Sequence, residues 1–524
     1  METIRKVRFS AFSTRHRLLL YCFITSLTML AICSKSSFLY PFNDWVDANC
    51  YFTVGKGLMN GLVPYRDLVE QKGILLYLLH GIGYLISNTT FIGVYFIEVI
   101  AGTAYLYYAA RTAALFVHER WGYVIAPVLA ALVYSSASFA HGDSAEELCL
   151  PLLMFGLYWL LRFFKSKDGL TPRMLILNGL MAGCVLWIKY TMLGFWLGWM
   201  IAIFIGLLLM KQVRKAFAAC LWFLVGMVAA TAPWLTYFAA NGALSDWFHV
   251  YFYLNFTVYA ETWNLAEMLR NVWASVSENI LNNPMLLVSI IAGLLGFVCT
   301  NKLIKGVWNK ISFVMIPVLL VLGVYAGGNT WPYYFLILMG KLMLPGLIVA
   351  ARALSALAGS LASAWAGLRP RLNIRVPRLL LGVIFALVLA LSSAYAYSAY
   401  PYQYFMERDR ETLAQYRFAA IMNEEKDPTL LNYGFLDGGF YTAADILPTT
   451  KYFCELNLDL PQMMEAQRTI IREKAVRFVV LRAADRPQDF GSDVPYLLEN
   501  YELVETVPQE FEGNGFMYCL FRAK

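Results

Sequence analysis

Eleven apolar stretches, each long enough to cross a bilayer, set the terms for everything else in this 524-residue chain. They lie near residues 18–33, 91–110, 122–139, 148–164, 174–190, 192–210, 216–236, 284–300, 311–327, 333–351 and 378–396. A further run, Ile74 to Ile86, spans only about 13 residues, too short to cross, and reads as a helix lying in the interface. Composition agrees. Hydrophobic residues make up 59% of the chain and charged residues only 15%, which excludes an ordinary soluble enzyme and a disordered chain alike. The class is a polytopic α-helical membrane protein.

Charge divides the chain near Tyr400. Residues 401–524 hold 13 Lys and Arg against 20 Asp and Glu, a net of −7; the whole chain is +7, so the first 400 residues carry +14. The basic residues sit in alternate short loops: Arg111 and Arg120; Arg162, Lys165, Lys167 and Arg173; Lys211, Arg214 and Lys215; Lys302, Lys305 and Lys310; Arg369, Arg371, Arg375 and Arg378. The intervening loops are nearly free of them, apart from Lys56, Arg66, Lys72 and Arg270. By the positive-inside rule the N-terminus is cytoplasmic and the acidic tail extracytoplasmic. This pattern excludes nucleic-acid binding as the source of the positive charge. The expected organisation is a membrane domain over 1–400, with a first outer loop at 36–90, and a small C-terminal α/β domain over 401–524. In the tail, Leu430–Phe435, Val476–Leu481, Glu502–Val507 and Gly515–Phe521 read as strands, and Gln462–Lys474 as a helix. Nine cysteines show no metal-binding or disulfide spacing, and only Cys50, Cys454 and Cys519 fall in segments expected to face water.

Two segments on the expected outer face carry more polarity than a connecting loop needs. In Pro41–Gly73, Asp44 and Asp47 are three apart and would share a face of a helix beginning there. Downstream, Tyr65, Arg66, Asp67, Glu70 and Lys72 mix both charge signs. The second segment, His141–Glu147, brings Asp143, Glu146 and Glu147 to the start of a span, where acidic residues also serve simply as helix caps. Carboxylates gathered at one face suit a general base or a divalent-metal site. Three further charges, Glu98, Lys189 and Lys341, lie inside apolar runs. Lys189 stands about 16 residues, roughly 24 Å, above Arg173, a height that suits a lipid phosphate. Glu98 and Lys341 read equally well as a structural pair.

The string Asp47-x7-Gly55-x5-Gly61-x2-Pro64-Tyr65-Arg66-Asp67-x4-Lys72-Gly73 resembles the first outer loop of GT-C glycosyltransferases. Within these it is similar to glycosyltransferase family 39, whose relatives include the aminoarabinose transferase of lipid A and the protein O-mannosyltransferases. Weaker echoes are Glu146-Glu147, Ala182-Gly183 before Ile188-Lys189-Tyr190, and Trp331-Pro332-Tyr333-Tyr334; the tail segment Leu431–Tyr441 resembles part of the C-terminal domain that some members carry. The resemblance implies inverting transfer of a sugar from a polyprenyl-phosphate donor to a glycan, lipid or protein acceptor on the outer face. It implies Asp47 as catalytic residue. From the placement of charge, Asp44 or Glu146 is expected to assist it, and Lys189, Arg66 and Lys72, basic groups on a face otherwise poor in them, to meet the donor phosphate. Glu147, Asp143, Tyr65 and Asp67 are further candidates. No cofactor is required by this reading. A divalent metal stays open, because Ala48 follows Asp47 where the mannosyltransferases carry Asp-Glu. The alternatives are a lipid-linked oligosaccharide flippase or transporter, which would call for repeat symmetry, and a surface-glycan polymerase or ligase, which differs in acceptor.

Overall fold

The computed structural model describes residues 2–166, 170–260, 264–368, 378–483, 496–511 and 514–524. Lys167, Arg369, Arg371 and Arg375, four of the charges used above to orient the chain, lie outside the described residues. Among the described residues, eight helices are long and apolar enough to cross a membrane: Arg15–Cys33, Ile92–Ala113, Ala145–Ser166, Pro172–Leu209, Val213–Ala240, Val307–Tyr325, Pro332–Ser360 and Leu379–Ala399. A ninth is formed if the bent pair Leu265–Asn282 and Pro284–Cys299 is one span. The chain is a multi-pass membrane protein; among the described residues, fewer helices meet this length and apolarity than the eleven apolar runs.

Local chemistry explains the difference. The run at 122–139 yields a helix of only 13 residues, Gly122–Tyr134. It stops where the hydroxyls of Ser135 and Ser136 donate back to the carbonyls of Ala131 and Val133, both at 2.7 Å, and so compete with the helical ladder. The runs at 174–190 and 192–210 form one apolar helical stretch of 38 residues. It is interrupted at Lys189, whose backbone is extended (φ −154°, ψ 98°), and by the 3-10 turn Tyr190–Met192. The pair around Pro284 bends by 109°. Asn283, which precedes the proline, is held out of the helical region (φ −139°, ψ 85°), as proline sterics demand.

The chain forms two compact units. The first comprises residues 1–33, 98–231 and 264–401 and is helical throughout its core. Its first helix, α1 (Glu2–Cys33), packs on Gly122–Tyr134 and Arg378–Ala399. There the Tyr21 hydroxyl donates to the Phe385 carbonyl at 2.8 Å, and Tyr123 stacks on Phe385.

The second unit comprises residues 34–97, 232–263 and 402–524. Its helical part holds α2 (Val46–Met59) against α3 (Ile74–Ile86). They approach so closely that a Cβ on Gly55 would sit 2.5 Å from the Tyr77 carbonyl oxygen, so only glycine fits. Helix α3 has the 13 residues expected. The C-terminal part is a four-stranded mixed sheet of order β1-β2-β4-β3: β1 (Leu430–Asn432), β2 (Phe478–Ala483), β3 (Tyr501–Phe511) and β4 (Asn514–Ala523). β1 and β2 are parallel; the other pairs are antiparallel. The crossover between β1 and β2 contains the helix Pro461–Arg472, so the segments read from the tail sequence are the ones that form. Leu431, Ile471, Val479, Leu481 and Phe521 belong to its apolar core.

One stripe of α2 docks on this domain through polar contacts. Thr53 Oγ1 donates to Asp437 Oδ2 at 2.6 Å. Lys56 Nζ pairs with Asp445 at 2.8 Å and donates to the carbonyls of Tyr441 and Ile446 at 3.0 and 3.2 Å. Gly439 has φ +88°, and a Cβ there would meet Phe42 at 2.4 Å and Asn49 at 2.8 Å, so this turn too demands glycine. Cys50, Cys454 and Cys519, expected in water-facing segments, are all buried.

Candidate functional site

The residues singled out from the sequence fall into two polar clusters, one in each unit. In the unit containing α2, Trp45 is extended and the helix begins at Val46. Asp47 therefore occupies its first turn, where unpaired backbone N–H groups favour a carboxylate. It is half-buried, and its Oδ2 accepts from the Tyr51 hydroxyl one turn on, at 3.3 Å. The Tyr51 ring also faces Lys72, whose Nζ is 5.8 Å from the ring centroid. Lys72 Nζ is 4.0 Å from Glu70, and Glu70 Oε2 accepts from the Lys72 backbone N–H at 2.8 Å and from the Tyr77 hydroxyl. Tyr65, fully buried in a left-handed conformation (φ 71°), donates to the Lys72 carbonyl at 2.6 Å. Asp47, Tyr65 and Lys72 are thus drawn around Tyr51, Glu70 and Tyr77. The sequence reading did not single out Tyr51 or Tyr77, although Tyr51 stands four residues from Asp47, the spacing at which helical side chains meet.

Asp44 is elsewhere. It precedes α2 rather than sharing a helical face with Asp47, which corrects that expectation. Its Oδ1 pairs with Lys35 Nζ at 2.6 Å, both side chains at most 3% exposed, and the ammonium lies over the rings of Tyr402 and Phe405. Arg66 forks onto its neighbour Asp67 with two bonds of 2.8 Å and donates to the Asn241 carbonyl at 2.8 Å. Asp67 also accepts from the Val63 N–H at 2.7 Å. The guanidinium hydrogen bonds hold its carboxyl below the usual range. Both charges fix the loop.

In the other unit, Lys189 Nζ forms a buried ion pair with Glu146 Oε1. The ammonium lies 3.7 Å from the ring centroid of Tyr334 and 5.6 Å from that of Tyr333. Three separate sequence echoes, Glu146-Glu147, Lys189 and the Trp331–Tyr334 turn, therefore meet in space. Glu146 Oε2 and Glu147 Oε1 are buried with no hydrogen-bond partner among the described residues. The cap of the helix Ala145–Ser166 is Ser144, whose Oγ accepts from the Glu147 N–H at 3.1 Å. Asp143 is not that cap. It sits at φ 62°, and its N–H is held by two carboxylates, Glu98 at 2.9 Å and Glu147 at 2.8 Å. The Glu98–Lys341 pair considered above does not form. Lys341 Nζ lies 4.2 Å from the Phe195 ring centroid with no hydrogen-bond partner among the described residues, at the edge of an apolar cavity of about 170 Å³. Among the described residues, no three His, Cys, Asp or Glu side chains are placed to hold a metal ion.

These clusters sit on a fold found in known enzymes. ArnT from Cupriavidus metallidurans, in a crystal structure with undecaprenyl phosphate bound, superposes with a TM-score of 0.60 at 10% identity, covering 96% of this chain and 98% of that one. The apo state of the same protein gives 0.57 at 11% identity over 97% and 98%. The mycobacterial arabinofuranosyltransferase AftD gives 0.51 at 14% identity over 96% of this chain and 41% of its own. The fold is therefore that of the GT-C membrane glycosyltransferases, along essentially the whole chain. In sequence, residues 3–362 match the family described as putative competence-induced protein Ccs4 N-terminal domain, and the chain belongs to that family. No curated protein matches it in sequence.

Proposed function

We propose that this protein is a glycosyltransferase that moves a sugar from a polyprenyl-phosphate donor to a cell-envelope acceptor, acting on the extracytoplasmic face. The observation that carries this reading is the setting of Asp47. It is a half-buried carboxylate on the first turn of α2, steadied by Tyr51 with Lys72 across the same ring, on a chain coextensive with a fold whose member ArnT has been seen with undecaprenyl phosphate. The placement of Lys and Arg along the chain supports the outer face.

In this mechanism the acceptor hydroxyl attacks the anomeric carbon of the donor. The bond from that carbon to the phosphate oxygen breaks, and polyprenyl phosphate leaves with the negative charge. Asp47 takes the hydroxyl proton, and attack opposite the leaving group inverts the anomeric centre. A positioned base of this kind contributes about 10²–10⁴-fold. Lys72 supplies positive charge for the phosphate. Lys189, held by Glu146, and Arg66, held by Asp67 at 2.8 Å, are ranked below it because each makes a tighter carboxylate pair than Lys72, which stands 4.0 Å from Glu70. Asp44 is assigned to structure for the same reason.

The test is a lipid extract from a strain lacking the protein, compared with one carrying Asp47→Asn at normal abundance. Both should accumulate the same polyprenyl-phosphate sugar, and the wild-type gene should clear it. A variant that clears the lipid as the wild type does removes Asp47 from the reaction. No accumulation in either strain removes the donor class.

A further inference from the structure

Two cysteines 404 positions apart in the sequence are brought together where α2 meets the C-terminal domain: Cys50 Sγ and Cys454 Sγ lie 3.8 Å apart. Both are 1% exposed. The frame around them is held from both sides. Cys50 shares its stripe of α2 with Thr53 and Lys56, which are bonded to Asp437 and Asp445. Around Cys454, the Phe453 carbonyl accepts from the Asn432 N–H at 3.3 Å, and the Glu455 N–H donates to the Phe435 carbonyl at 3.0 Å. The two backbones are fixed while the two sulfurs face each other. A disulfide needs an S–S distance of about 2.05 Å, so the sulfurs must close by about 1.8 Å, within reach of side-chain rotation.

We propose that Cys50 and Cys454 are joined by a disulfide in the mature protein, a covalent tie between the helix that carries Asp47 and the C-terminal domain. The compartment follows from the extracytoplasmic placement given under the proposed function, since disulfides persist in oxidising compartments. The two thiols lose two protons and two electrons. The electrons pass to a disulfide-bearing thiol oxidant of that compartment, which is reduced to two thiols. One cysteine thiolate attacks the oxidant's disulfide and expels one of its sulfurs; the second cysteine thiolate then displaces the other and closes the Sγ–Sγ bond. Burial dates this step. In the folded protein both thiols are out of reach of an oxidant, and desolvation pushes both away from the thiolate form. The bond therefore forms as α2 and the domain come together, and burial then shields it from reductants. Cys519, buried in the sheet core, donates to the Met517 carbonyl and stays a thiol.

The test uses the full-length protein taken from membranes, with free thiols blocked by N-ethylmaleimide before and during denaturation. Trypsin then releases Cys50 in the peptide 36–56 and Cys454 in the peptide 452–468. Mass spectrometry should find these two peptides joined, separating on reduction, with Cys519 alkylated. In Cys454→Ser, Cys50 should become alkylated. A thermal scan with reductant present, which reaches the bond only as the dock opens, should lower the apparent Tm of the wild type and leave that of Cys454→Ser unchanged. Alkylation of both Cys50 and Cys454 in the wild type, with residue 524 shown by a fusion reporter to be extracytoplasmic, overturns the proposal and leaves the transferase reading intact. A cytoplasmic residue 524 overturns both the compartment and the disulfide.

Discussion

Replacing Asp437 by Asn removes a charge from the junction between α2 and the C-terminal domain without removing its acceptor. Asp437 is fully buried, takes Thr53 Oγ1 at 2.6 Å and the Gly439 N–H at 2.9 Å, and has no ion-pair partner within 4 Å among the described residues. Desolvation raises its pKa from 3.8 to about 6, against the two hydrogen bonds and the nearby Lys56 charge, which pull it down. The folded state thus holds this proton more tightly than the unfolded chain does. The protonated junction is at full strength below about pH 4, and that contribution is lost as pH rises to about 6. A shift of about 2 units corresponds to about 3 kcal/mol between the limits. Asn is neutral throughout. Its carbonyl can keep the Gly439 bond, and its amide can donate to Thr53 Oγ1. Asp437→Asn should therefore match the wild type near pH 4 and exceed it at pH 8. For a unit of this size, 3 kcal/mol corresponds to an upper bound of about 6–12 °C in Tm. Thermal unfolding of the full-length protein in detergent from pH 4 to 8 reads both curves. A variant less stable than the wild type at pH 8, with the wild-type pH slope retained, would refute the reasoning and show that the junction favours the ionised carboxylate of Asp437.

Four further outcomes follow from the same geometry. Asp47→Asn should fold and bind donor lipid but lose transfer by about 10²–10⁴-fold in turnover assays with purified protein. Asp44→Asn leaves Lys35 buried without its partner, so it should cost about 3–5 kcal/mol in thermal unfolding rather than act on turnover alone. Lys189→Met strands Glu146 in the same way; adding Glu146→Gln should restore most of the lost Tm, and a double variant that also regains donor binding would leave Lys189 purely structural. A reporter fused after Lys524 should be active only outside the cytoplasm. With the N-terminus inside, that result requires an odd number of crossings, so it excludes a count of eight and fits nine, with the bent pair at Asn283–Pro284 as a single span, or eleven.

The membrane class, the C-terminal sheet and the loop motif were legible because each writes itself in local sequence. Spans show as apolar runs, β2 as the buried string Phe478–Ala483, and the loop as spaced Gly, Pro-Tyr and Asp. The span count was less legible, because hydropathy does not see a serine pair closing a helix at Tyr134 or a break at Lys189 inside one apolar stretch. Pairings at long range were invisible. Nothing near Asp44 announces Lys35 rather than Asp47 as its neighbour, and Lys56 looked like one of a few stray charges on an outer loop. Its true partners, Asp445 and the carbonyls of Tyr441 and Ile446, lie nearly 400 positions away. The meeting of Glu146, Lys189 and Tyr334 was written in three weak echoes that no spacing rule joins.

Helix α2 connects these levels. Its first turn presents Asp47, half-exposed, beside Tyr51, while Cys50, Thr53 and Lys56 on the same helix are buried against the C-terminal domain. Glycines on both sides serve packing: Gly55 of α2 lets α3 close on it, and Gly439 of the domain makes room for Phe42 and Asn49. A carboxylate that must meet an acceptor hydroxyl within hydrogen-bond reach depends on the helix that carries it being held still. The dock supplies that restraint with two polar contacts whose charges differ in fate: Asp445 offsets part of the desolvation of Lys56, whereas desolvation favours the neutral form of Asp437. In the proposed mechanism the placement of Asp47 therefore depends on this dock. Loosening the dock by Thr53→Val, which removes the donor and nearly keeps the shape, should lower turnover at pH values where Asp437→Asn leaves it unchanged. Equal turnover in Thr53→Val and the wild type, with both folded, would mean that α2 is fixed by its apolar contacts and that the polar dock contributes stability alone.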